Sequence, residues 1–259
     1  MVIILIVFCV FYTIGIIWEV RHSMKHNLHL YDVKDSAMNL SLGIAVVAIR
    51  FVFGGTWLLI WLWVSRFAIF KIEETYLAWL FLFFLHEFVY YWMHRLSHNV
   101  RILWAVHVNH HSSQLLNFTT AARMPVLMFL VMMVFWSPLI LIGFNPFMVF
   151  AVSNVSFVFA VFQHSQVIGK IPLLEYIFVT PTHHRLHHAS NENYINHNYG
   201  SVLIIFDRMF GTFKEVREEE PIKYGIRNNI NTNNPVKVIF HEWEDMFKRK
   251  KKGANEKEH

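Results

Sequence analysis

The sequence predicts an all-α fold: a multi-pass transmembrane helical bundle with a cytoplasmic helical cap. Three observations carry that expectation. Apolar runs recur along the chain, several near the roughly 20 residues a helix needs to cross a bilayer. Hydrophobic residues make up 55% of the 259 residues and charged residues only 16%, against about 25% charged in ordinary soluble domains. Histidines recur at three- and four-residue spacing, which places side chains on one helix face. Cys9 is the only cysteine and lies in an apolar run, so a disulfide framework and a thiolate metal site are both excluded.

Met1 to Trp18 is almost continuously apolar. It lacks the basic start and small-residue cleavage site of a secretory signal, and reads as the first transmembrane helix. Arg21 to Asp35 reads as a short polar loop. Ala37 to Phe70 is apolar again but holds Arg50 and the Gly54-Gly55 pair. It is either one long tilted helix or a broken one, and Arg50 snorkels, faces the protein or sits in a turn. Thr75 to Met93 is the next span, ending in Tyr90-Tyr91-Trp92, a cluster suited to the membrane interface. Arg95 to Arg123 reads as a polar, histidine-rich connection. Met124 to Phe144 and Phe147 to Phe162 form a hairpin, with a kink expected at Pro138 and a turn at Gly143-Phe-Asn-Pro146. Beyond residue 220 the chain turns polar: Asn228 to Asn234 reads as loop, and His241 to Lys252 as an amphipathic interfacial helix.

The hairpin leaves and re-enters one face, so the His94–His111 block and everything after His164 fall on the same side. Arg21, Lys25, Lys34, Arg95, Arg101, Arg123 and the basic tail share that side if the N-terminus is outside, and the positive-inside rule makes it cytoplasmic. The net charge of +5 does not indicate nucleic acid, because much of the excess lies between Lys248 and Lys252. Beside apolar spans, such a run meets anionic lipid headgroups or is simply a solvated end.

Three histidine segments stand out: His94 with His98; His107, His110 and His111; and His183, His184, His187 and His188. Neutral imidazole is the commonest protein metal ligand, and a site made almost wholly of imidazole suits Fe, Zn, Cu or Ni rather than Mg or Ca. The pair and the two triads exceed what one ion can hold, so the spacing predicts a two-metal centre. His22, His26, His29, His86, His241 and His259 stand alone and read as ordinary polar residues.

At these residues the chain resembles the fatty acid hydroxylase/sterol desaturase superfamily of integral-membrane di-iron oxygenases. The resemblance runs from about Glu87 to Phe213. It rests on Tyr90-Tyr-Trp-Met-His-Arg-Leu-Ser-His98, His107-Val-Asn-His-His-Ser-Ser113, Gln163-His164, Pro181-Thr-His-His-Arg-Leu-His-His188 and the stretch Asn198 to Phe213. Within the superfamily it looks most like the alkylglycerol monooxygenase branch, through His110-His-Ser-Ser113, Pro181 to His188, and Tyr224 to Phe240. The resemblance implies metal ligands at His94, His98, His107, His110, His111, His164, His184, His187 and His188. His183 is either a tenth ligand or a partner that orients one. Asp207, Glu175, Glu87 and Asn198 are candidates for orienting the rings, although Asp207 can instead pair with Arg208 and Glu87 with Arg95.

The resemblance further implies two iron ions, O2, and an external reductant, either tetrahydrobiopterin or another reduced pterin, or an electron-donor protein. The substrate would be a membrane lipid (an alkylglycerol ether, a fatty acyl chain or a sterol-like molecule), hydroxylated or, alternatively, desaturated. Phe81, Phe83, Phe84 and Phe88 line its route or serve helix packing and lipid contact. The expected division is an N-terminal transmembrane region at 1–73, a catalytic core at 74–220 and a basic tail at 221–259, in a bacterial inner membrane or endoplasmic reticulum. A zinc hydrolase is disfavoured by the absence of an HExxH motif. A metal transporter is disfavoured because the histidines cluster at one membrane face rather than along a path.

Overall fold

The structure is a computed structural model that describes residues 2–217, 220–232 and 234–248, with side chains described from residue 7 onward. The basic run beyond Lys248, and the start of the first expected span at Met1, lie outside the described residues. Among the described residues there is no strand, only the isolated bridges Phe178–Leu203 and Ala189–Tyr224.

Helix α1 spans Val2–Lys25 and α2 spans Val33–Val64. The first helix therefore continues through Arg21 to Lys25, where a loop was expected. Beyond Lys25 the chain turns through Asn27 and His29, both with positive φ. Asp32 caps α2, its Oδ1 accepting the Lys34 and Asp35 N–H groups at 2.9 Å each. The helix runs unbroken through Gly54-Gly55, so the single-helix alternative holds. Arg50 faces the protein, its guanidinium 5.9 Å from the Phe157 ring centre.

Helix α3 spans Tyr76–Asn99, N-capped by the Thr75 hydroxyl, and α4 spans Arg101–His111. The stretch expected to be a polar connection is thus helical past its middle, to His111, and His94 and His98 lie inside the last turns of α3. The hairpin arms are α5, Met128–Ile142, and α6, Pro146–Val161. The α5 helix continues past Pro138, and the turn falls at Gly143 as expected. Its tip docks on the α2–α3 connection: Ile69 N–H donates to Leu141 O at 2.8 Å and Phe70 N–H to Ile142 O at 3.2 Å. Gly143 has φ +130°, and a Cβ there would lie 2.3 Å from Phe70 O, so only glycine closes this turn. Both connections therefore lie at the Tyr76 end of the bundle, away from the histidines.

Trp61, Leu82, Trp136, Ile140, Met148 and Val149 fill the centre between α2, α3, α5 and α6. Among the described residues two helices, Val33–Phe67 and Tyr76–Asn99, are long and apolar enough to cross a membrane, while α5 and α6 are shorter apolar helices of 15 and 16 residues. The outward faces are apolar as well, Phe51 being 89% exposed. A continuous apolar exterior is the surface of a membrane protein.

The histidine end carries the short helices. These are a 3-10 turn at Phe118–Ala122, α7 at Pro181–His187, α8 at Ile205–Met209 and α9 at Pro235–Phe247. Helix α9 begins six residues before the expected interfacial helix. It buries Val238 against Met38 and Leu42, and Glu242 pairs with Arg101 at 3.2 Å. Two buried ionic residues lock this end to the bundle. Glu19 of α1 accepts from Tyr31 Oη at 2.6 Å, Phe118 N–H at 2.9 Å and Ser165 Oγ at 2.5 Å. Arg123 donates to Asp35 at 3.0 Å, Asn39 Oδ1 at 2.8 Å and Asn109 O at 3.0 Å. A buried charge needs such partners.

Candidate metal centre

Nine of the ten expected histidines assemble into two adjoining groups. His94 and His98 of α3, His107 and His111 of α4, and His187 of α7 form the first. His110 of α4, His164 just past α6, and His184 and His188 of α7 form the second. Within each group one ring nitrogen per residue lies within 4.8 Å of all the others. All nine are buried except His98, which is half-buried.

The triads divide between the groups, although spacing alone put each on one face. At about 100° per residue, positions i and i+4 diverge by about 40°, whereas i+3 and i+4 lie about 100° apart. Helix α4 therefore sends His107 and His111 to the first group and His110 to the second. Helix α7 does the reverse, sending His184 and His188 to the second group and His187 to the first. The groups share a wall: the His111 and His188 rings stack at 4.5 Å.

The ring protons are assigned by backbone carbonyls, which can only accept. His94 Nδ1 donates to Tyr199 O at 2.8 Å, His110 Nδ1 to Arg123 O at 3.1 Å, His164 Nδ1 to Ala160 O at 3.0 Å and His187 Nδ1 to His197 O at 3.0 Å. In neutral rings the four Nε2 atoms then carry bare lone pairs. His110 Nε2 and His164 Nε2 face each other at 3.3 Å. His184 Nε2 lies 3.0 Å from His164 Nε2 and 3.1 Å from His188 Nε2. In the first group His107 Nε2 is 3.1 Å from both His94 Nε2 and His111 Nε2, while His98 Nε2 and His187 Nε2 have no hydrogen-bond partner. Two opposed lone pairs repel in a dry site unless a cation lies between them. Donors bound to one ion at about 2.0–2.1 Å are themselves about 3.0–3.4 Å apart. The donor set therefore fits two imidazole-bound metal ions.

Burial, the largest cause, holds these rings neutral. It lowers His110 to about 4 and His164 to about 3, and pushes His107, His111, His184, His187 and His188 well below the usual range. A neutral ring is the form that binds a metal.

The fatty acid hydroxylase family model matches residues 79–212, a stretch that contains both groups. The chain belongs to the fatty acid hydroxylase family. It is 45% identical to human alkylglycerol monooxygenase over 156 residues, 60% of this chain and 34% of that protein. It is 34% identical to the Xenopus tropicalis alkylglycerol monooxygenase over 235 residues, 88% of this chain and 51% of that one. An ornithine lipid hydroxylase of Rhizobium tropici is 32% identical over 146 residues, 56% of this chain and 44% of that one. The chain spans between about a third and a half of the length of these curated relatives. No solved structure matches it.

In this fatty acid hydroxylase family member none of the four side chains expected to orient the rings bonds a ring of either group. Asp207 accepts from Tyr199 N–H at 2.7 Å, Gly200 N–H at 2.8 Å and Thr212 Oγ1 at 2.7 Å. It thereby fixes the peptide whose carbonyl holds His94. A Cβ on Gly200 would lie 2.4 Å from Leu203 O, so glycine permits this close approach. Glu87 accepts from Val202 N–H at 2.7 Å and Ser156 Oγ at 2.7 Å, pinning the same loop to α3 and α6. Asn198, at φ +58°, bonds Lys214 N–H and Lys214 O, each at 2.9 Å. Glu175 accepts from Thr180 Oγ1 at 3.1 Å and from Thr182 Oγ1.

His183 stands apart from both groups. Its Nδ1 accepts Thr180 N–H at 3.3 Å and its Nε2 lies 4.0 Å from Glu175. The carbonyls of Tyr199, Arg123, Ala160 and His197 were not identified from sequence, since every residue carries such an oxygen. One usable signal existed: Asn191 to Gly200 is rich in Asn, and Asn196 and Asn198 both take positive φ, which Asn tolerates best after Gly. His86 is an ordinary satisfied residue, held by Glu87 at 3.2 Å and Ser153 at 3.1 Å.

Proposed function

We propose that the chain is an integral-membrane di-iron monooxygenase that hydroxylates a lipid with O2 and an external electron donor. The observation that carries this reading is the pair of adjoining, buried, all-imidazole donor sets with bare Nε2 atoms. The family is generally di-iron, and imidazole without thiolate suits iron. His94, His98, His107, His111 and His187 hold one ion; His110, His164, His184 and His188 hold the other. His183 serves as a positioning residue, tied to Glu175 and the first turn of α7. When bound, the irons supply the reduction of O2 and the insertion of one oxygen atom into a C–H bond, chemistry that no side chain performs.

The balance is R–H with O2, two electrons and two protons giving R–OH and water. The chain's own residues orient and exclude. Four carbonyls fix the ring tautomers, and Asp207 and Glu87 fix the loop that carries one of them, as outer partners of metal ligands do. Tyr90, Trp104 and Tyr199 pack on the first group, their ring centres 5.4 Å from His94, 5.3 Å from His98 and 5.3 Å from His98, and cover those rings. The relatives' names favour hydroxylation over desaturation and a lipid as substrate; the candidates are an alkylglycerol ether, a fatty acyl chain or a sterol-like molecule. The reductant is tetrahydrobiopterin, another reduced pterin, or an electron-donor protein. The protein is read as multi-pass, with the centre on the cytoplasmic face and the core at 74–220.

Detergent-purified protein from iron-supplemented cells tests this. It should contain about two irons per chain and, with reductant and ether or acyl lipids, transfer 18O from 18O2 into product. Two zincs that iron cannot displace, with no O2 uptake, would reject the oxygenase.

A further inference from the structure

Between α6 and α7 lies the seven-residue stretch Ile171–Ile177, of which only Glu175 bears on the metal site. Five of its residues, Ile171, Leu173, Leu174, Tyr176 and Ile177, are exposed, Leu173 at 86% and Tyr176 at 71%. Flexible apolar residues at a loop tip would be unremarkable, but this stretch is firmly mounted. Its buried carboxylate, Glu175, is bonded by Thr180 and Thr182 at the start of α7. Arg208 of α8 donates to Glu175 O at 3.1 Å, and its guanidinium lies 3.7 Å from the Phe213 ring centre and 5.9 Å from that of Tyr176. Ile204 N–H donates to Ile177 O at 3.0 Å, and Phe178 bridges to Leu203. A rigid frame thus presents large apolar side chains outward.

The ridge is continuous with the apolar exterior of the bundle. Phe178 meets the exposed Phe159 of α6 at 6.2 Å between ring centres. On the other flank Phe206 of α8 meets the exposed Phe88 of α3 at 5.7 Å, and the neighbouring Met209 is exposed. At the rim Lys170 is 58% exposed and pairs with Glu175 at 3.7 Å and Glu215 at 3.9 Å. Apolar side chains bordered by a charged rim match the order of layers in a membrane, acyl chains and then headgroups.

We propose that Ile171–Ile177 is a wedge that inserts into the cytoplasmic leaflet, its partner being the acyl and glycerol layer of the bilayer. The wedge seats α7, and with it His184, His187 and His188, on the membrane surface from which a lipid substrate is drawn. This rests on the reading that α2 and α3 cross the membrane. The test therefore carries a separate control for that reading.

In a Cys9→Ser background, Leu173→Cys, Phe51→Cys and Glu192→Cys are each spin-labelled. They are placed in phosphatidylcholine/phosphatidylglycerol vesicles, and collision rates with O2 and with a water-soluble nickel chelate are read by electron paramagnetic resonance. Unchanged iron content of each labelled protein shows that it is folded. The wedge predicts that the O2-to-nickel ratio at 173 approaches that at 51 and exceeds that at 192. A water-like ratio at 173 with a lipid-like ratio at 51 overturns the wedge and leaves the spans standing. Shielding of 173 from both reagents would mean that protein covers it, and also overturns the wedge. A water-like ratio at 51 overturns the membrane reading, and the wedge with it.

Discussion

At the scale of single residues, each imidazole's role depends on what holds its far nitrogen. His164 has two attachments: its Nδ1 bonds Ala160 O, and the next residue, Ser165, is tied to Glu19. It is one of only four donors in the second group. His164→Ala should lower iron from about two per chain to about one, with the first group's ion kept, as metal analysis of purified protein would report. Retention of two irons would remove His164 from the ligand set. Acid should act on the same residues in the metal-free protein. Burial lowers His110 to about 4 and His164 to about 3, against about 6.5 in an unfolded chain. Below about 6.5 the unfolded state binds protons that the folded rings refuse, so stability is intact above that pH. It falls as the pH drops toward about 4 and on toward about 3. Unfolding midpoints of the metal-free protein between pH 7.5 and 4.5 measure this, and a flat profile would contradict it. Most histidines of the two groups were legible in the sequence, because helical spacing makes repeated histidines conspicuous. His164 was not, since one histidine beside an apolar run has no periodicity; only the resemblance pointed to it.

At the scale of elements, the metal groups depend on helix ends being held in register. The α5–α6 tip is seated against Phe70, and the two helices carry that constraint up to His164. Gly143→Ala places a Cβ 2.3 Å from Phe70 O at φ +130°, a strain of about 1–3 kcal/mol. We expect a lower thermal midpoint in detergent for this variant, with iron still bound at low temperature. An unchanged midpoint would mean that the tip does not sit against the α2–α3 connection. Element boundaries were only partly legible. The apolar runs marked α2, α3 and the hairpin, but α4 was read as a connection. Its buried residues include His107, Asn109, His110 and His111 beside Ala105, Val106 and Val108, and the four polar ones lead a hydropathy argument to assign it to a loop. Helix α7 has seven residues, too few for an apolar periodicity, and only its histidine spacing marked it; Thr180 and Glu175 hold its start.

At the scale of the whole molecule, the arrangement sets an apolar bundle beneath a polar, histidine-bearing end. Both inter-helix connections lie at the far end. The proposed topology predicts that cysteines at Glu73 and Glu192, in a Cys9→Ser background, react from opposite sides. A membrane-impermeant maleimide applied to intact and inverted vesicles should label Glu192→Cys from the cytoplasmic side alone and Glu73→Cys from the other. Labelling of both from one side would sink the cytoplasmic assignment. The meeting of Gly143 with Phe70 shows only that the two connections share one end of the bundle.

By itself the sequence determined the helical, membrane-suited character of the chain, its family and the histidine donor set. Each of these follows from residue type at short spacing, which the chain carries locally. Tertiary structure alone decided how the donors divide. His110 leaves its own triad for the second group and His187 leaves its triad for the first, because the choice depends on which neighbouring helix each ring faces. It also decided which nitrogen of a ring is bare. That depends on a carbonyl 105 residues away for His94 and 13 residues away for His110, partners that any residue could supply and that only folding selects.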